Sequence, residues 1–174
     1  MSRKMALMGS NVGDEWDDQA HDNVTKIQVA HDFMGINFVK FEYVDGTENA
    51  VTRYAHGRIR KSSQTEEFEL TSDEYITEVE VHSDYIGPVG QIMMLRFKTN
   101  KRTSKAYGQE YEKPLHSLRK KVFAEKNKKI VGFHGKYGER ILHDFSVYVA
   151  PINKAPTLKQ LFYGYLDQIK NKFV

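Results

Sequence analysis

The sequence predicts an all-β body made of three similar units, followed by one short amphipathic helix. Each unit consists of a β run, a loop and a second β run, and the units recur at intervals of about 50–56 residues. Because one such unit cannot bury an apolar face alone, we expect a pseudo-threefold body whose function lies in its loops. The first runs match at Val24, Ile27 and Val29; Ile76, Val79 and Val81; and Ile130, Phe133 and Gly135. The second runs match at Ile36, Val39 and Phe41; Ile92, Leu95 and Phe97; and Leu142, Phe145 and Val147.

The composition is that of a folded protein with one main domain. The chain has 174 residues, of which 40% are hydrophobic and 12% are aromatic. It has no cysteine, which excludes a disulfide framework and a thiol nucleophile. No apolar run approaches the roughly 18 residues of a membrane-spanning helix, so we expect no membrane partner. The N-terminus lacks the pattern of a secretory signal, so we expect a cytoplasmic protein, with the nucleus as an alternative.

Alternation of apolar and polar residues predicts the strands along the chain. We expect a turn at Asp45-Gly46 and loops at 9–14 and at Gly87-Pro88-Val89-Gly90. Between residues 100 and 129 the pattern is weak and polar residues dominate. The expected strands cover residues 26–30, 36–44, 53–60, 67–70, 75–81, 91–99, 130–135 and 142–150.

Positive charge is concentrated in one region, although the net charge is only +3. The cationic segments are Arg119-Lys120-Lys121 and Lys126-Asn127-Lys128-Lys129. Such a cluster can attract nucleic acid or an acidic protein. We favour the simpler interpretation, a solvated loop between two strands, and do not expect a nucleic-acid partner.

A helical period replaces the β pattern after residues 151–156. Thr157 is a candidate cap for the helix, and Gly164 weakens it by about 1 kcal/mol relative to alanine. A helix of about 17 residues is marginal alone, so its apolar stripe needs a surface: this domain, a second copy, another protein or a membrane. We therefore divide the chain into a domain at 1–152 and a helical extension at 153–174. The stripe consists of Leu158, Leu161, Phe162, Tyr165, Leu166, Ile169 and Phe173.

Several motifs taken together resemble a jacalin-related lectin domain over roughly residues 5–152. The amino-acid sequence of residues 38–43 most resembles that of the jacalin domains of myrosinase-binding and nitrile-specifier proteins of plants. The family fold is a β-prism of three four-stranded antiparallel sheets around a pseudo-threefold axis, which agrees with the repeat. The motifs are Gly13 before Trp16-Asp17-Asp18, Ile36 to Tyr43 before Asp45-Gly46 and His56-Gly57, Glu74-Tyr75-Ile76-Thr77, Leu95 to Thr103, Lys129 to Gly135, and Val147-Tyr148-Val149.

The resemblance implies reversible binding of mannose- or glucose-type sugars in plant defence, without catalysis, metal or cofactor. Residue by residue, Gly13 matches the glycine of the first loop, and Gly138 opens the family's Gly-x-x-x-Asp motif. Arg140 and Ile141 fall where backbone N–H donors are expected, and His143 stands at the aspartate position after one extra residue. Because a neutral imidazole is not a bidentate acceptor, we expect weakened or altered sugar binding. Asp144 could replace the aspartate only if the extra residue forms a bulge.

Two further readings stay open at this point. The chain could be a prism that has lost monosaccharide affinity and acts as a protein-interaction module, through its loops, its helix or a homo-oligomer. Alternatively, the pairs His21-Asp22, His31-Asp32 and His143-Asp144 suggest a metal-dependent phosphohydrolase, which we disfavour because such sites need converging helices. We expect Trp16, Asp17, Asp18 and His134 to be structural, with His134 hydrogen-bonded inside a turn.

Overall fold

The computed structural model describes residues 1–48, 50–111, 116–153 and 158–172 and is almost entirely β. The predicted long strands and the C-terminal helix are confirmed, with most strands longer than expected. The strands are β1 Arg3–Lys4, β2 Asp14–Asp17, β3 Asn23–Asp32, β4 Gly35–Asp45, β5 Ala50–Gly57, β6 Gln64–Glu69, β7 Ile76–Ile86, β8 Val89–Thr99, β9 Tyr107–Gly108, β10 Leu118–Ala124, β11 Lys128–Tyr137 and β12 Leu142–Pro151. The helix is α1 Leu158–Lys172.

The strands pair antiparallel in two sheets. A four-stranded sheet has the order β5-β4-β3-β6. An eight-stranded sheet has the order β1-β12-β11-β7-β8-β9, with β2 on β11 and β10 on β7. One residue pair, Ile130 with Ile76, joins β11 to β7. The pairing therefore confirms the all-β class, but it does not by itself separate three four-stranded sheets.

The internal repeat is confirmed in the register of the hairpins β3–β4, β7–β8 and β11–β12. Each hairpin has two register shifts, at matching places along its strands. At the second shift, the residue without a partner on the opposite strand is Asn37 in the first hairpin, Met93 in the second and His143 in the third. A β-bulge thus occurs at the same point of every unit, close to the hairpin turn.

Aromatic residues from all three units meet in the core. The rings of Phe41 and Phe133 stack with their centroids 4.1 Å apart. Phe97 meets Phe133 edge to face at 6.3 Å. All three side chains are fully buried, and each such burial contributes about 1.5–3 kcal/mol. The apolar positions that revealed the repeat are therefore the positions that hold the three units together.

The first of the two cationic segments was predicted wrongly, whereas Lys126 and Asn127 of the second form a turn between two strands, as expected. Leu118–Ala124 is not a solvated loop but an edge strand, β10, paired with β7. Alternation is hard to see there because Phe123 is the one fully buried residue of the strand. The Arg119 guanidinium lies 3.9 Å from the Tyr85 ring centroid, and Lys121 Nζ lies 4.5 Å from that of Phe123. The cations thus cover aromatic rings, which sequence patterns do not show.

Other boundaries also differ from the predictions. The loop expected over 87–90 is a turn at Gly87 and Pro88, because Val89 already begins β8. The strand expected over 53–60 ends at Gly57, whose φ of 94° bends the chain. His134 lies within β11 and not in a turn. Its Nε2–H donates to the carbonyl of Met5 at 2.9 Å, and burial lowers its pKa, so its structural role is confirmed.

Helix α1 confirms the predicted period, and of the surfaces considered for its apolar stripe, its own domain does not cover it. Leu158, Phe162 and Tyr165 are 87%, 60% and 61% exposed. Thr157 and Phe173 lie outside the described residues. In the part of the chain that the structure describes, no helix is long and apolar enough to cross a membrane.

A buried carboxylate explains why two of the sequence motifs occur together. Glu74 is 1% exposed and accepts hydrogen bonds from Arg102 Nε at 2.9 Å and from Thr99 Oγ1 at 2.7 Å. The Thr71 N–H donates to the same carboxylate at 3.1 Å. The Arg102 guanidinium is the main cause that lowers the pKa of Glu74 to about 2. This cluster fixes the start of β7 against the end of β8.

We predict that Glu74→Gln lowers the free energy of unfolding at pH 7 by about 2 kcal/mol. The folded-state pKa lies below the ordinary value, so the carboxylate stabilises the fold above pH 5, and this contribution disappears as pH falls toward 2. Urea unfolding at several pH values should show that the difference in free energy of unfolding between parent and variant shrinks as pH falls from 5 to 2. Asp73→Asn, next door but exposed, is the control and should matter less. If this difference does not change with pH, the Glu74 carboxylate does not stabilise the fold through its lowered pKa.

Candidate sugar-binding cleft

The N-terminal segment wraps around the third hairpin and completes its sheet. Strand β1 pairs with β12, placing Lys4 opposite Tyr148, and β2 pairs with β11, placing Trp16 opposite Gly135. The connection between β1 and β2 therefore has to cross the turn end of the β11–β12 hairpin. The predicted entry loop is this crossing, although its last residue, Asp14, already belongs to β2.

Asp144 holds the crossing segment in place. Its side chain is fully buried and accepts hydrogen bonds from three successive backbone N–H groups. Oδ1 accepts from Met8 at 2.8 Å, and Oδ2 accepts from Gly9 and Ser10 at 2.9 Å each. The bulge that would allow Asp144 to replace the missing aspartate does exist, but the carboxylate points into the protein. Its acceptor capacity is used by the backbone, so Asp144 is a structural residue.

The His143 side chain lies between the two glycines that the sequence singled out. A Cβ placed on Gly138 would lie 2.4 Å from His143 Nε2, and one on Gly13 would lie 3.1 Å from Cδ2. Nδ1 is 2.7 Å from the carbonyl oxygen of Gly90. Since a carbonyl can only accept, Nδ1 carries the proton and Nε2 is left as an acceptor. Glycine is thus needed at 138 for space, and at 13 also for its φ of 95°.

Arg140 and Ile141 belong to the same turn but have different environments. The Gly138 N–H donates to the Ile141 carbonyl at 3.0 Å, which closes the turn around Glu139 and Arg140. The Ile141 side chain is buried, and Arg140 is exposed. The five predicted residues Gly13, Gly138, Arg140, Ile141 and His143 therefore lie together at one end of the body, and we call them the candidate cleft.

A pocket of about 390 Å³ adjoins the candidate cleft on the Gly138 side. Sequence reasoning missed Asp14, Arg58 and Tyr137 as lining residues. No sequence pattern marks them: Arg58 follows Gly57, where a Cβ would lie 2.2 Å from the Asn37 carbonyl and 2.8 Å from the Tyr137 ring. Because Gly57 packs this closely, the next residue, Arg58, lies at the pocket. The full lining is Asp14, Arg58, Tyr137, Gly138, Glu139 and Arg140.

The pocket offers both donors and acceptors beside an aromatic ring. None of its two carboxylates and two guanidinium groups takes part in an ion pair among the described residues. Carboxylates accept from hydroxyl groups and guanidinium groups donate to them, so this lining suits a polyhydroxylated ligand.

The tryptophan motif supports the cleft from inside. Trp16 stacks on the His56 ring at a centroid distance of 3.9 Å. Asp18, almost fully buried, accepts from Tyr43 Oη and is 2.6 Å from His56 Nε2. Burial raises the pKa of the Tyr43 phenol, and the nearby Asp18 charge acts in the same direction. Trp16 and Asp18 therefore pack and orient the scaffold, as the sequence predicted.

The histidine–aspartate pairs serve separate purposes. His21 Nδ1 contacts the Asp45 carboxylate, and Asp32 accepts from Arg60 at 2.6 Å. Within residues 1–48, 50–111, 116–153 and 158–172, no three His, Asp or Glu side chains are grouped as a metal site would require. The geometry gives the phosphohydrolase reading no support.

Comparison with known proteins agrees with this architecture. The family model of the jacalin-like lectin domain matches residues 5–148. The chain is 42% identical to Jacalin-related lectin 36 of Arabidopsis thaliana, with 88% of this chain and 32% of that protein aligned. It is 38% identical to Myrosinase-binding protein 1 of the same plant, over 87% of this chain and 31% of that protein. It thus spans about a third of the length of these relatives.

A solved structure gives the fold independently. The mannose-specific jacalin-related lectin from Morus nigra, in complex with mannose, superimposes with a TM-score of 0.73. The alignment covers 86% of this chain and 94% of that one, at 23% identity. The expected resemblance, including that to myrosinase-binding proteins, is confirmed, and the chain belongs to the jacalin-like lectin domain family.

Proposed function

We propose that the chain is a lectin that binds mannose- or glucose-type sugars reversibly, without catalysis, at the candidate cleft. The observation that carries the proposal is the convergence of Gly13, from the N-terminal segment, with Gly138 and His143, from the β11–β12 hairpin, at one end of the body. Membership of the jacalin-like family supports it. So does the Morus nigra lectin, a neighbour in fold that was solved with mannose.

The residues divide the work of binding between backbone and side chains. The N–H groups of Arg140 and Ile141 donate to ring and hydroxyl oxygens of the sugar, and His143 Nε2 accepts from one hydroxyl. Arg58 and Asp14 in the adjoining pocket reach the next sugar residue of a longer glycan. Affinity for a monosaccharide is low, because imidazole offers one acceptor where a carboxylate offers two.

We also infer that the body is a prism of three four-stranded sheets. The Ile130–Ile76 pair is the link between β11 and β7 in the described strands. Without that one pair, the eight-stranded sheet divides into β1-β12-β11-β2 and β10-β7-β8-β9. Each has its own long hairpin in the middle, as in β5-β4-β3-β6. The shared bulges of the three hairpins support the same division.

The second candidate is a protein-interaction module with little sugar affinity. The replacement of the aspartate by His143, which fills the space between two glycines, favours it. A relative named for binding myrosinase supports a partner of the glycosidase class. A role in plant defence, a cytoplasmic or nuclear location and a homo-oligomer stay predictions on either reading.

A glycan array with the purified chain, competed by methyl α-mannoside, tests the proposal. Signal that the mannoside removes is the expected result. A blank array from a folded protein would overturn the lectin reading in favour of the interaction module. Circular dichroism and a cooperative thermal transition establish that the protein is folded.

We predict that His143→Asp tightens binding of methyl α-mannoside roughly fivefold, because a carboxylate accepts from two hydroxyl groups and makes charge-assisted hydrogen bonds. Isothermal titration measures the change. His143→Ala is the matched control: it removes the imidazole without supplying an acceptor and should give no gain. If His143→Asp also gives no gain, the extra residue has remodelled the turn and the backbone donors are displaced.

We predict that Gly138→Ala weakens sugar binding and lowers the free energy of unfolding by about 1 kcal/mol, since the new methyl group would displace the imidazole. In a His143→Ala background the same change should be nearly neutral for stability, because the clash partner is gone. Gly164→Ala, whose Cβ meets open space, is the control: it should cause no loss of stability, because alanine favours the helix. Equal costs of Gly138→Ala in both backgrounds, measured by urea unfolding, would show that His143 is not the obstacle.

A further inference from the structure

Helix α1 leaves the body at the end opposite to the candidate cleft. Strand β12 ends at Pro151, and the Ile152 N–H donates to the carbonyl of Asn127 in the turn between β10 and β11. Strand β11 runs from this turn to Tyr137, beside the cleft. Ten residues of strand separate the two places, a distance of about 30 Å. The described chain before α1 therefore ends at the far end of the body from the candidate cleft.

The apolar residues of α1 lie in one arc. At about 100° per residue, the arc spans roughly 140° of the helix circumference. Leu161 and Ile169 are 54% and 36% exposed, and Phe162 and Tyr165 are more exposed still. The side chains of the arc are Leu158, Leu161, Phe162, Tyr165, Leu166 and Ile169.

The charges of α1 are arranged around this arc. Lys159 and Lys170 border it on one side, and Lys172, the last residue of the helix, lies close to its other edge, between the directions of Leu161 and Tyr165. Asp167, the single acidic residue of the helix, lies on the opposite face. Cations at the margins of an apolar arc, with their charged ends reaching outward, are typical of helices that lie in the headgroup region of a bilayer.

We propose that α1 binds the surface of an anionic lipid bilayer, lying in its plane with the arc among the acyl chains. The charge pattern favours a lipid surface over a second copy of the helix. Pairing the arcs of two helices would bring their positively charged lysines close together, where they repel each other. A coiled coil also needs about three or four heptads, and α1 has 15 residues. Tyr163 and Tyr165 suit a bilayer interface, where a ring needs both an apolar and a wet side. Surface binding does not require the spanning length that the chain lacks.

The test is flotation of the full chain with vesicles of phosphatidylcholine alone and of phosphatidylcholine with 30 mol% phosphatidylserine, in excess methyl α-mannoside. The mannoside and the absence of glycolipid separate this proposal from sugar binding. We expect binding to the anionic vesicles alone, at least tenfold weaker in Phe162→Ser and strongly reduced at high salt. Phe33→Ser is the matched control, a phenylalanine 75% exposed at a hairpin tip of the body, and should not change binding.

Two results would overturn the proposal. One is Phe162→Ser binding the anionic vesicles as well as the parent chain does. The other is the absence of vesicle binding together with a dimer, in sedimentation, that Phe162→Ser dissociates, which would make a second copy the occupant. Lys159→Glu/Lys170→Glu adds a charge readout: it should reduce binding to the anionic vesicles and leave the thermal transition of the body unchanged.

Discussion

The carboxylate of Asp144 is the interaction on which the cleft end of the molecule depends. It is buried, and it is stabilised by three backbone N–H groups of the segment from Met8 to Ser10. A buried carboxylate without such partners would cost several kcal/mol, so the segment has to stay where it is. From there the chain can only continue across the hairpin end, which brings Gly13 beside His143 and β2 onto β11. One buried charge thus fixes both the third sheet and the position of the first cleft loop.

The bonds of Asp144 to the N-terminal segment also fix which polar groups face the candidate cleft. In this chain the N–H groups of Gly9 and Ser10 are turned inward, and the imidazole of His143 occupies the space between two glycines. The carbonyl of Gly90 accepts from that imidazole, which ties the cleft to the start of β8. The Nδ1–H of His143 is thus used within the fold, as are the N–H groups of Gly9 and Ser10. The adjoining pocket, whose charged groups are unpaired among the described residues, is where binding groups are still free.

The sequence predicted the parts of the fold that depend on apolar periodicity. The matched positions of the three units place Phe41, Phe97 and Phe133 in one core, and the helical period of the C-terminal segment gives α1. Strand β10 escaped prediction because it buries only Phe123 fully and because Arg119 lies on the Tyr85 ring, a contact that needs the folded partner strand β7. Arg58 escaped because it reaches the pocket through the tight approach of Gly57 to Asn37, which no local pattern encodes. The cleft residues themselves came from the family resemblance.

The bulge shared by the three hairpins explains why the cleft forms at one tip. Asn37 is fully buried and accepts from Ser63 Oγ at 3.1 Å, while Met93 is nearly buried. In both cases a later strand of the same unit covers the bulge, since Arg58 and Gln109 donate their N–H groups to the bulge carbonyls. The third unit is completed by the N-terminal segment instead, which arrives from outside the repeat and leaves His143 partly exposed. A buried position in two units thereby becomes a partly exposed position of the candidate cleft in the third, and the difference lies in which part of the chain closes the sheet.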